Sequence, residues 1–240
     1  MAKRQCNSFG RERRALERWQ PFRDFERLTE QLIDELDDDF LVGHYQWLRE
    51  AKIACMFGNI SRATQTRLAA DDRQKPDFVC IFGQGSHLRF QVVEVLPPDR
   101  KRSLEITRWI EAGRPQLFSQ GELSDNRDVI SQTLGRVFRE KAAIPYPRGT
   151  SLLLYFNIAT YGRWDEYVEQ TCIEASQLAR VRFASIWVLW GPRLLRCWPQ
   201  PFLGDRGAFR PGKHVLGSSI RAYKNKRMLD ELYASNRVSQ

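Results

Sequence analysis

The sequence predicts one α/β domain, a mixed β-sheet with helices on its faces. Three observations lead there. Apolar residues recur at helical spacing in several stretches. Two pairs of short apolar runs flank glycine-containing turns. One continuous apolar run of strand length stands between two helical segments.

Taken in order, residues 1–20 are polar and basic and read as a flexible arm or a frayed helix. Residues 21–240 then read as a single domain. Phe22, Phe25, Leu28, Leu32 and Leu36 mark a first helix. The aspartates at 37–39 can cap a second, which carries Val42, Tyr45, Leu48 and Cys55 and is expected to stop at Gly58-Asn59. Residues 59–75 are polar and carry no clear strand. Two apolar runs, Phe78 to Phe82 and Leu88 to Leu96, surround Gly83-Gln84-Gly85-Ser86-His87 and read as a hairpin spanning 76–96. Pro97-Pro98 ends it, because proline cannot donate to a ladder.

Asp99 to Glu111 is charged and partly helical by pattern. Ser124 or Asp125 opens a helix with Ile130, Leu134, Val137 and Phe138 on one stripe, and Pro145 and Pro147 close it. Ser151 to Ile158 suits a central strand covered on both faces. Asp165 to Arg180 is helical. Ile186 to Trp190 and Leu194 to Trp198 form a second hairpin around Gly191-Pro192-Arg193. Ile220, Tyr223, Met228, Leu229 and Leu232 suggest a basic C-terminal helix.

The 240 residues are 42% hydrophobic and 12% aromatic, enough for a sizeable core. The net charge of +9 favours polyanionic partners. Basic residues crowd the N-terminus and the last quarter. Five scattered cysteines read as reduced and mostly buried, which suits a cytoplasmic protein. No apolar run approaches the ~18 residues of a membrane span. His44, His87 and His214 are isolated and no Cys-x-x-Cys pair occurs, so zinc is not expected. Gly83-x-Gly85 lacks the rest of a dinucleotide fingerprint, and no phosphate-binding loop is present. Trp47, Trp109 and Trp164 are candidates for stacking on bases, with core burial the plainer reading.

The hairpin carries the chemistry. With its turn near residues 84–85, Asp77 lies opposite roughly residue 92, and Glu94 is two residues further on. Diagonal neighbours in such a pair are ~7–8 Å apart, within reach of two carboxylates sharing one cation. Glu94 lies in Val92-Val93-Glu94-Val95-Leu96, apolar on both sides. A carboxylate buried there needs a pair, a proton or a metal. An arginine partner for Glu94 is the plainer alternative.

At these residues the sequence resembles the PD-(D/E)XK nuclease superfamily, whose core is restriction-endonuclease-like. The match is Pro76-Asp77, then Glu94 within Gln91-Val92-Val93-Glu94-Val95. It continues through Arg139-Glu140-Lys141, Tyr146-Pro147, Leu152 to Asn157 and Ile186 to Gly191, covering roughly residues 40–200. The resemblance implies a restriction-endonuclease-like core with a mixed central sheet flanked by helices. It implies that Asp77 and Glu94 bind Mg²⁺ (or Mn²⁺) with help from the Val95 carbonyl and Glu50. The implied reaction is metal-dependent phosphodiester hydrolysis on nucleic acid, taken to be DNA. The family's lysine position, two residues after the glutamate, holds Leu96 here. Lys101 and Lys141 are the candidates to replace it. Plainer roles are a solvated helix face for Glu50, a solvated loop for Lys101 and a snorkelling helix end for Lys141. The competing expectation is a catalytically inactive module that binds nucleic acid or a protein partner, or pairs with a second copy.

Overall fold

The computed structural model describes residues 9–36, 45–70, 76–96, 120–156, 165–191 and 193–199, the side chains of 84 and 120–128 excepted. Lys101, His44, His214, Trp109, Trp164, Cys6, Pro97-Pro98, the Asp99–Glu111 segment and the expected C-terminal helix lie outside the described residues.

The described elements are α1 (Gly10–Leu16), β1 (Gln20–Pro21), α2 (Phe22–Leu36), α3 (Gln46–Ser61), β2 (Gln65–Leu68), β3 (Phe78–Ile81), β4 (His87–Val95), α4 (Gln120–Ala142), β5 (Thr150–Phe156), α5 (Glu166–Ser176), β6 (Ile186–Trp190) and β7 (Arg193–Trp198). The seven strands form one sheet in sequence order. β1 to β4 run as an antiparallel meander, β4, β5 and β6 are parallel, and β7 returns antiparallel to β6. The expected α/β class with a mixed sheet and flanking helices is therefore observed.

Strand alternation divides the core in two. One cluster joins α1, α2 and α3 to Leu68, Phe78, Cys80, Phe90, Leu153, Trp187 and Leu189. The other joins α4 and α5 to Val95, Leu152, Leu154, Phe156, Ile186, Val188 and Trp190. β5 feeds both clusters and is buried at every position except Tyr155, as its apolar run requires. Phe57 of α3 anchors the first cluster, its ring centre 4.4 Å from Phe90, 5.7 Å from Trp187 and 6.0 Å from Phe78.

Three expectations need correction. Residues 10–21 are not simply an arm, because Leu16 is fully buried and β1 pairs with β2. α3 does not stop at Gly58. A side chain on Gly58 would collide with the Phe22 ring, so the glycine serves the close approach of α2 and α3. The helix ends instead at Arg62, which adopts the left-handed conformation at φ 60°. A strand, β2, also occupies the polar segment before Pro76. It was hidden because β2 buries only Thr66 and Leu68, too few residues for an apolar pattern. Cys55, Cys80, Cys172 and Cys197 are buried free thiols. Among the described residues no helix is long and apolar enough to cross a membrane.

Phe57→Ala is expected to destabilise the fold by about 3–5 kcal/mol. Urea unfolding followed by far-UV circular dichroism measures it. A loss under about 1 kcal/mol would show that Phe57 does not anchor α3 to the sheet.

Candidate functional site

The expected hairpin is present, with β3 and β4 joined by a single 3-10 turn at Gly83–Gly85. Its register pairs Phe78 with Phe90. Continued by one residue, this sets Asp77 opposite Gln91, one short of the expected position. The Asp77 amide donates to the Phe90 carbonyl at 2.7 Å. Its carboxylate then takes over where the main chain of β3 leaves the ladder. Asp77 Oδ2 accepts from the Val92 amide at 2.6 Å and from the Gln91 side-chain amide at 2.6 Å. Asp77 therefore caps the edge of β4, doing for Val92 what the next strand carbonyl would have done.

That location gives Asp77 unusual electrostatics. Its carboxyl is pushed up to about 7, first by burial and then by the negative charge of Glu50. The Val92 amide and the positive charge of Lys141 act in the opposite direction. An acid from α3 and a lysine from the end of α4 thus both act electrostatically on one aspartate. Tyr146 belongs to the same group. Its phenol is pushed up to about 12 by burial and by the charge of Asp77, against the pull of Arg182. The Tyr146 ring packs 5.2 Å from Phe183, and the Arg182 guanidinium is held by the Ile144 carbonyl at 2.7 Å.

Of the expected site residues, Glu50 and Lys141 are the ones whose charges act on Asp77. Glu94 is half-buried and in register with Tyr155 of β5. By alternation it shares the α3-side face with Phe90 and Val92, whereas Gln91 shares the α4-side face with Val93 and Val95. The register continued by one residue sets Asp77 opposite Gln91, whose side-chain amide donates to it, whereas Glu94 lies on the α3-side face. Glu50, rather than the strand glutamate, is the acid whose charge acts most on it. Val95 is buried on the α4 side, its residue paired with Phe156. Among the described residues no three His, Cys, Asp or Glu side chains gather as a metal-holding group. Leu96 is half-buried at the position where a lysine was sought.

Sequence reasoning gave no role to Gln91, Tyr146 or Arg182. Gln91 was recoverable, since hairpin register places it beside Asp77. Tyr146 and Arg182 were not, because loops on the far side of a crossover set their positions. His87 is exposed beside the turn, as expected, and Trp47 packs against the core rather than offering a stacking surface. Searches against protein-family models, curated proteins and solved structures found no match to this chain.

The raised carboxyl has a pH signature. The folded chain holds the Asp77 proton more tightly than the unfolded chain, whose value is 3.8. Stability from this group is therefore full below about 4 and declines as pH rises toward about 7. Asp77→Asn keeps an acceptor for Val92 and removes the titration. In chelator, its stability relative to the parent is expected to improve steadily as pH rises from 4 to 7, measured by urea unfolding at stepped pH. Glu50→Gln removes a negative charge that raises the Asp77 value, so in that variant the decline should end at lower pH. A parent-minus-variant difference that is flat with pH would contradict the raised value.

Proposed function

We propose that this chain is a nuclease-like, nucleic-acid-contacting protein that hydrolyses phosphodiester bonds with a divalent cation, Mg²⁺ or Mn²⁺. One observation carries the reading: half-buried Asp77 is held by the Val92 amide and the Gln91 side chain at the edge of β4, where the charges of Glu50 and Lys141 both act on it. Crowding two acids near a buried spot raises a carboxyl toward neutrality, and a hard divalent cation relieves that repulsion. Asp77 with Glu50 or Glu94 would hold it. Among the described residues the Gln91 and Val92 donors both reach Asp77 Oδ2, which leaves Oδ1 as the ligating oxygen. Bound there, the cation would supply an activated water and offset charge on the phosphate. Gln91 and Val92 keep the carboxylate in place, and Lys141 brings the positive charge that Leu96 cannot.

The order of elements supports the restriction-endonuclease-like reading. α3, the meander β2–β3–β4, α4, and then β5 parallel to β4 is the helix, three-strand, helix, strand sequence that the resemblance leads one to expect. β2 fills the place where the sequence offered no clear strand. The inactive-module reading is favoured by Leu96 and by the lack of a three-acid cluster among the described residues.

The test is incubation of purified protein with plasmid and single-stranded DNA in Mg²⁺ or Mn²⁺. Cleavage is expected, abolished by chelator and by Asp77→Asn, and reduced about a hundred-fold by Lys141→Ala. Glu94→Ala asks whether the strand glutamate takes part. Cleavage that survives chelator or Asp77→Asn sinks the site. Salt-sensitive binding without cleavage selects the module reading.

A further inference from the structure

Among the described residues, helices cover the sheet unevenly. The α4–α5 cluster takes residues from β4 onward and none from β1, β2 or β3. On that face of the meander, one row of residues crosses several strands. Arg67 of β2 pairs with Val79 of β3, Val79 with Arg89 of β4, and Arg89 with Thr150 of β5; Val79 and Thr150 are buried, so half-buried Arg67 and exposed Arg89 carry the accessible surface of the row. Trp19, just before β1, extends the row, and the Arg67 guanidinium lies 4.8 Å over its ring. Arg89 is exposed, and Trp19 is 43% exposed even with Arg67 on its ring. Arg148, also exposed, stands two residues before Thr150. Among the described residues Arg67 Nε is buried without an acceptor, and no carboxylate pairs with Arg67 or Arg89.

We infer that this row is a platform for single-stranded nucleic acid, with Trp19 stacking on a base and Arg67 and Arg89 holding phosphates. Charge complementarity selects a polyanion. The aromatic ring selects a strand whose bases are available for stacking, since a duplex keeps its bases paired and stacked internally. Strands ~4.8 Å apart put Arg67 and Arg89 roughly 10 Å from each other. The next row on the same face contains Gln91, the partner of Asp77, about 7 Å further along the strand. A strand held on the arginines therefore passes beside Asp77. The platform deepens the nuclease reading by naming its substrate as single-stranded, and it rests on that reading only for the relation to Asp77.

Fluorescence anisotropy in chelator, with a labelled oligothymidylate and a duplex of equal length, tests it without cleavage. The single strand is expected to bind more tightly. Trp19→Ala, Arg67→Ala and Arg89→Glu should each weaken it about ten-fold, and Trp19→Phe should retain most of the affinity. Removing one arginine should lower the salt slope by ~0.7. Circular dichroism checks folding, and exposed Arg89 is the variant least coupled to it. A duplex bound as tightly as the single strand overturns the platform, as does parental binding by Trp19→Ala and Arg89→Glu, or no binding by the parent. If the variants bind like the parent while the parent still cleaves, the platform fails and the nuclease reading stands. If the parent binds as described but never cleaves, the nuclease reading fails and the platform stands.

Discussion

Phe57 and Phe90 meet with ring centres 4.4 Å apart, and Phe78 and Trp187 close around them. This contact fixes where α3 lies on the sheet. Glu50 is two helical turns from Phe57, about 10 Å at ~1.5 Å per residue. Its reach to Asp77 depends on that placement, because Asp77 directly precedes Phe78, another of the rings that Phe57 touches. Gly58 works for the same end. Its bare backbone lets the Phe22 ring approach, so α2 locks α3 from behind.

β4 converts this packing into a site. It is antiparallel to β3 on one edge and parallel to β5 on the other. β3 is shorter than β4, so part of the β4 edge extends past the ladder on that side. An amide there needs an acceptor. Asp77 supplies one with its side chain, and the carboxylate is thereby drawn into a half-buried position. Burial then raises its pKa, and Glu50 adds to the effect. The structural duty of Asp77 and its electrostatic tension have one origin.

The fold was legible where periodicity was strong. The hairpins, the β5 run and the stripe of Ile130, Leu134, Val137 and Phe138 all reflect burial on fixed faces. β2 was not legible, since an edge-side strand that buries two residues leaves no alternating apolar signature. The end of α3 was misread because Gly58 serves packing rather than termination. For the site, Asp77 and its neighbourhood in the hairpin followed from local spacing. The roles of Glu50 and Lys141 were candidates only, since no local pattern tells which helix turn faces a strand end. The position opposite Asp77 was read one residue too far along, because the chain bends at Asp77 and the turn is not a symmetric two-residue one.

The uneven helix cover explains why the charged groups gather where they do. From β5 onward, apolar side chains on both faces are matched by helices. On β2 and β4 the α4-side face carries Arg67, His87, Arg89 and Gln91, residues that cannot be covered by an apolar helix without losing their hydration. That polar face and the covered one meet along β4, beside Asp77. A carboxylate at such a boundary is buried enough for its charge to be costly while its edge stays beside polar residues. A site wholly within the core would lack access, and one wholly on the open face would lack the low-dielectric surroundings that make Glu50 and Lys141 felt.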